Sequence, residues 1–276
     1  MPANSEDASF ASESKEDEVL LFDCNSTLGR RAARNPRSVY NVHDLLSVMD
    51  SYSITRALVS HASCEVSGPT PGNEILMSET KGTSRLVPCW VVLPNHTKEL
   101  GEDISDFFRR MLSNDVKAAK IYPVSHHFSL SEWSVGHILE KLDEHRMPLL
   151  IDFNIVHYSD AVMNVQWDKV HDICARHRDL PVILLRLGAN VDRNLFPLLG
   201  MFENLHVDLS YYTVNEGIER ICDMFGPEHL IFGTGLPVMS PAGPISMLMY
   251  SNIPLSMKRS IASENLERML ESVVEQ

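Results

Sequence analysis

Between residues 19 and 232, short runs of apolar residues alternate with longer stretches in which apolar positions recur every three or four residues. The short runs are Val19–Cys24, Ile54–Ser60, Leu86–Leu93, Val116–Tyr122, Pro148–Phe153, Pro181–Leu185, Leu205–Leu209 and His229–Phe232. Each is apolar nearly throughout, the mark of a parallel strand covered on both faces. The longer stretches predict amphipathic helices. Asn41 to Tyr52 sets Val42, Leu45, Leu46 and Met49 on one face, with Asn41 placed to cap it. Ile104 to Leu112, Leu130 to His145 (with Ser131 as its cap), Val165 to His177, Ile218 to Phe225 and Pro254 to Val274 repeat the pattern, and Glu74 to Lys81 is helix-compatible.

Eight strands alternating with helices over about 250 residues predict an α/β fold, a single (β/α)8 TIM barrel. A doubly wound open sheet is the rival, but the glycine fingerprint GxGxxG is absent. Residues 18–276 are assigned to the barrel and residues 1–17, polar, Ser-rich and acidic, to a disordered lead-in.

Charge narrows the partners. The formal net charge of -13 opposes phosphate backbones and anionic lipid, so no nucleic-acid and no membrane partner is expected. Five dispersed cysteines without a CxxC pair suit a reducing, cytoplasmic setting. A homodimer is the expected assembly.

Six segments in order resemble the amidohydrolase superfamily, in its branch of hydrolases and decarboxylases of small carboxylates. Phe22-Asp23-Cys24-Asn25-Ser26-Thr27-Leu28-Gly29 resembles that family's first strand, D-x-H-x-H-x-G. Lys120-Ile121-Tyr122-Pro123 resembles its fourth-strand motif, Met147 to Asp152 its fifth strand, and Pro181 to Gly188 its sixth. Leu230 to Pro237 resembles its eighth strand, and Ser263 to Leu270 its closing helix.

The resemblance implies a metal site at the C-terminal strand ends, yet its ligands are substituted. The first-strand histidines align with Asn25 and Thr27, the fifth-strand histidine with Asp152, the sixth-strand histidine with Arg186 and the eighth-strand aspartate with Gly235. A guanidinium has no lone pair to offer a metal and repels one. No cofactor is therefore expected. The alternative is zinc or another divalent ion held by Asp152, His157 and one of His61 or His127.

Two readings of Arg186 stay open. It closes a structural ion pair with Asp152, or its fork binds a substrate carboxylate. The enzyme reading is a hydrolase or lyase of a small carboxylate without the usual metal centre, with His157, His127 and Asp152 as catalytic groups. Arg186, Asn25, Asn154 and His61 would bind the substrate. The competing reading is an inactive barrel serving as a ligand-binding or protein-interaction module. Any ligand is expected at the mouth formed by the loops that follow the strands.

Overall fold

In the computed structural model, residues 18–31, 39–154 and 164–275 are described. The lead-in and His157 lie outside the described residues.

Among the described residues, nine parallel strand segments follow one another around the barrel. They are β1 (Leu21–Leu28), β2 (Ile54–His61), β3 (Leu86–Pro88), β4 (Trp90–Val91), β5 (Ala119–Ile121), β6 (Leu149–Asp152), β7 (Val182–Leu185), β8 (Leu205–Asp208) and β9 (Leu230–Ile231). The run expected as one strand over Leu86–Leu93 is split at Cys89. Up to Pro88 the chain pairs with β2, and Cys89 N still donates to Val59 O at 2.8 Å. From Trp90 onward it pairs with β5. The two pieces act as one strand of an eight-stranded barrel. Closure comes from Cys24 N donating to Phe232 O at 2.9 Å and Thr27 N to Leu236 O at 2.8 Å.

Strand alternation divides the core into two layers. Phe22, Cys24, Leu58, Cys89, Ala118, Leu150, Ile183, Leu185 and Ile231 fill the barrel interior, with Leu266, Met269 and Leu270 of the closing helix packed onto them. Their neighbours, such as Ala57, Val59, Ala119, Ile151, Val182, Leu184 and Val207, face outward to the helices.

The helices α1 (Val42–Ser51), Ile104–Ser113, Glu132–Glu144, Trp167–Arg176 and Gly217–Met224 stand where the periodicity places them. Asn41 caps α1 by accepting from Asp44 N at 2.9 Å. Ser131 precedes its helix without a side-chain cap bond. The closing stretch is three pieces, Leu255–Arg259, a π-helical turn Ser260–Glu264 and Asn265–Glu271. Among the described residues, no helix is long and apolar enough to cross a membrane.

Candidate functional site

By the parity of the inner layer, Lys120, Asp152 and Asp208 point into the barrel at its C-terminal end, because Ala118, Leu150 and His206 precede them by two. Two further residues reach the same place by breaking the alternation. In β1 the pairing with β2 shifts register between Asp23 and Ser26, which resets the phase of the strand. Asn25 thereby reaches across the barrel, while Asp23 turns to Thr234. Strand alternation alone would put Asp23, Asn25 and Thr27 on one wall, and this register shift parts Asp23 from Asn25. At the end of β7, Leu185 points inward, so Arg186 would face out. Its left-handed backbone (φ 53°) turns the side chain back over the mouth.

These groups close a ring of polar contacts. Arg186 Nη2 donates to Asp152 Oδ1 at 2.6 Å, and Lys120 Nζ lies 3.5 Å from Asp152 Oδ2. Lys120 Nζ donates to Asn25 Oδ1 at 3.0 Å, and Asn25 Nδ2 donates to Asp208 Oδ2 at 3.1 Å. The main-chain N–H of Arg186 then donates to Asp208 Oδ1 at 2.7 Å. Asn154 adds its N–H to Asp152 Oδ1 at 2.9 Å and accepts from Arg186 Nη2 at 3.4 Å. Every ring member except Asn154 is buried.

Burial alone would push the Asp152 carboxyl up. Arg186 and Lys120 outweigh it and pull the group down to about 2, so it is an anion at any ordinary pH. Asp208 behaves oppositely. Burial raises it to about 6, against the hydrogen bonds from Ser210, the Arg186 N–H and Asn25. Asp23 is also raised by burial. Its two oxygens accept from Asn25 N, Ser26 Oγ, Thr234 N and Thr234 Oγ1, so it ties β1 to the β9 loop with no acceptor site to spare.

Among the described residues, the histidines do not join the ring. His61 is buried against Gly29, where a Cβ would lie 2.4 Å from its Nε2. Its Nδ1 meets Ser63 Oγ at 2.6 Å and its Nε2 lies 4.0 Å from Glu79. His127 is exposed, in a left-handed turn with φ 54°. Its neighbour His126 turns inward, with Nε2 at 3.1 and 3.2 Å from the carbonyls of Cys64 and Glu65. Glu65 fastens the loops above, accepting from Arg31 Nη2 at 3.1 Å and Ser125 Oγ at 3.0 Å. His61, His127 and Asp152 therefore do not converge.

Lys120 and Asp208 are ring members that the sequence reading did not single out. Lys120 opens the fourth-strand motif Lys120-Ile121-Tyr122-Pro123. The signal for Asp208 is an acidic residue at the end of a buried strand, Leu205-His206-Val207-Asp208. Its carboxylate sits over Gly233, where a Cβ would come within 2.8 Å of Oδ2.

The family model for amidohydrolases matches residues 44–271. The chain belongs to the amidohydrolase family. Solved structures agree on the fold. A 2,6-dihydroxybenzoate decarboxylase from Rhizobium is 11% identical, with 92% of this chain and 98% of that one covered and a TM-score of 0.75. A 5-carboxyvanillate decarboxylase from Novosphingobium aromaticivorans, solved with manganese and a nitrobenzoic acid, is 13% identical over 94% and 97%, with a TM-score of 0.72. The 4-oxalomesaconate hydratase of Rhodopseudomonas palustris is 11% identical over 92% and 96%, with a TM-score of 0.68. No curated protein matches in sequence.

The described residues at this chain's mouth do not fit a divalent ion such as that manganese. Two fixed cations, Lys120 and Arg186, stand among the donors, and both contact Asp152. At the position aligned with the family's eighth-strand aspartate, Gly235 has φ 67°, and a Cβ there would lie 3.2 Å from both Met239 Cγ and Ser210 Cβ. Among the described residues, no group of three His, Cys, Asp or Glu could hold a metal.

Proposed function

We propose that this amidohydrolase-family barrel is a metal-independent hydrolase or lyase of a small carboxylate, with Arg186 and Lys120 supplying the positive charge that a metal supplies elsewhere. One observation carries the reading: among the described residues, two buried cations share a single close carboxylate, Asp152. The hydrogen bonds that the guanidinium makes to described residues all leave from Nη2. A carboxylate ligand would be met by Nε and Nη1, the other donors of the fork. Asn25 and Asn154 hold the two cations in place, and Asp152 remains ionised throughout. The carboxylate substrates named for the solved relatives give the same class.

His157, on the segment that follows β6, is the acid–base group proposed from sequence, with His127 second. Loss of turnover in His157→Ala with unchanged ligand affinity is the expected result. Substrate binding at His61 is proposed on its place at the end of β2. A cytoplasmic homodimer remains the proposed setting.

A second reading rests on the closure of the ring. Because each carboxylate already has its donors, the same residues suit an inactive barrel that binds a ligand or a protein. Calorimetry separates the two. Metal-free protein titrated with benzoate and with benzamide should bind the acid and not the amide, and Arg186→Lys should weaken binding because the charge stays while the fork is lost. Equal affinity for acid and amide removes the anion receptor and leaves the inactive barrel in front.

A further inference from the structure

Asp208 touches neither the guanidinium nor the ammonium group, yet both cations depend on it. Its Oδ1 accepts the main-chain N–H of Arg186 at 2.7 Å, at the one residue of the β7 end that must turn left-handed to bring its side chain over the mouth. A non-glycine residue in that region costs on the order of 1 kcal/mol and persists only where its surroundings fix it. The bond from Asp208 is a contact that fixes it here. Its Oδ2 accepts from Asn25 Nδ2 at 3.1 Å, which orients the amide so that Oδ1 faces Lys120 Nζ at 3.0 Å. Ser210 Oγ occupies the remaining side of the same oxygen. Behind the carboxylate lies Gly233, the only residue type that leaves it room.

We infer that Asp208 is the positioning residue of the mouth: through the Arg186 main chain and through Asn25 it aims both cations at one ligand carboxylate. The inference rests on the proposed carboxylate receptor. A strand-end acid buried without a charged partner of its own would otherwise be a costly residue to keep, since an apolar side chain would fill the space without desolvating a carboxyl.

The test uses the full chain, with benzoate and benzamide as probes and Asp208→Asn as the variant, which keeps the shape and puts an amide where the carboxylate was. Folding is checked by its thermal transition. Benzoate affinity is expected to fall about tenfold or more, the scale of losing a hydrogen bond to a charged acceptor, and the preference over benzamide to shrink with it. In the Arg186→Lys background the same substitution should have less effect, because only the arm through Asn25 and Lys120 is left to lose. A crystal structure of Asp208→Asn should show the guanidinium moved off Asp152. If the guanidinium stays in place, or if the two substitutions weaken benzoate binding additively, Asp208 is merely a packing residue and the inference is overturned. If the parent itself fails to prefer benzoate, the receptor reading falls, a result distinct from those two. If Asp208→Asn does not fold, Ser210→Ala, which removes one donor from the same oxygen, should reduce benzoate affinity in the same direction, and an unchanged affinity there also overturns it.

Discussion

At the scale of single residues, the mouth is a set of charges whose worth depends on their partners. Arg186→Ala should destabilise the fold by about 3 kcal/mol in urea unfolding, because it strips a buried carboxylate of a partner. Arg186→Met, which keeps the volume, should cost less. A guanidinium free in solvent would give neither effect. Titration offers a second test. Burial pulls His206 down to about 4, so as pH falls below about 6.5 the unfolded chain takes up a proton that the fold refuses, and stability is lost between those values. Asp208, raised to about 6, works in the opposite sense: the fold holds its proton longer than the unfolded chain, and stability is lost as pH rises from about 4 to 6. The two oppose each other over one window. Unfolding free energy should therefore rise more steeply with pH in Asp208→Asn than in the parent, by up to about 1.4 kcal/mol per pH unit, and less steeply in His206→Gln. Parallel curves for all three would contradict both assignments. The Arg186–Asp152 pair was legible in sequence because a motif fixed both positions. Lys120 and Asp208 were not, since what makes them site residues is the contact of five strands at one height, which no stretch of chain records.

At the scale of elements, what was legible is what has a period. Strands that are apolar on both faces and helices with one apolar stripe stood out. The helices Asp192–Leu199 and Ala242–Tyr250 did not, because Pro197 interrupts the first and the second carries Gly243 and Pro244 with too little polar contrast to show a face. The break at Cys89 was also hidden, since a strand that changes partners keeps its apolar composition. One buried amide holds that region. Asn73, on the helix Pro69–Thr80, donates from Nδ2 to Val91 O at 2.9 Å and accepts Val91 N at Oδ1 at 3.0 Å, doing for a two-residue strand what a neighbouring strand would do. Asn73→Ala leaves a buried N–H and C=O without partners at once. A loss of about 2–4 kcal/mol is expected in denaturant unfolding, with Asn73→Asp intermediate because it restores the acceptor alone. A cost near that of an exposed alanine substitution would mean that β4 is held by β5 by itself.

At the scale of the whole molecule, the barrel keeps the family's architecture, and two buried cations, Lys120 and Arg186, stand at its mouth. An ion entering the mouth would face Lys120 and Arg186 and compete with both for Asp152, whose Oδ1 already accepts from Arg186 Nη2 and Asn154 N and whose Oδ2 faces Lys120 Nζ. Restoring one ligand should not reverse this. Gly235→Asp returns the residue type that the family has at that position, but a side chain there meets a left-handed backbone and the crowding of Met239 and Ser210. Thermal unfolding gives a readout independent of turnover. A site with micromolar affinity would gain about 4 kcal/mol of stability at millimolar manganese, a shift of several degrees. The parent should instead unfold at the same temperature with manganese, with zinc and with chelator. Gly235→Asp should unfold a few degrees lower in all three, with no recovery by metal. The pair of results matters more than either, because an unmoved parent alone would also follow from slow metal entry. A variant that is destabilised and still indifferent to metal places the obstacle in the ring of charges. If purified protein carries about one manganese or zinc per chain by elemental analysis, the ring is not the native electrostatic centre, and the cationic receptor has to be given up.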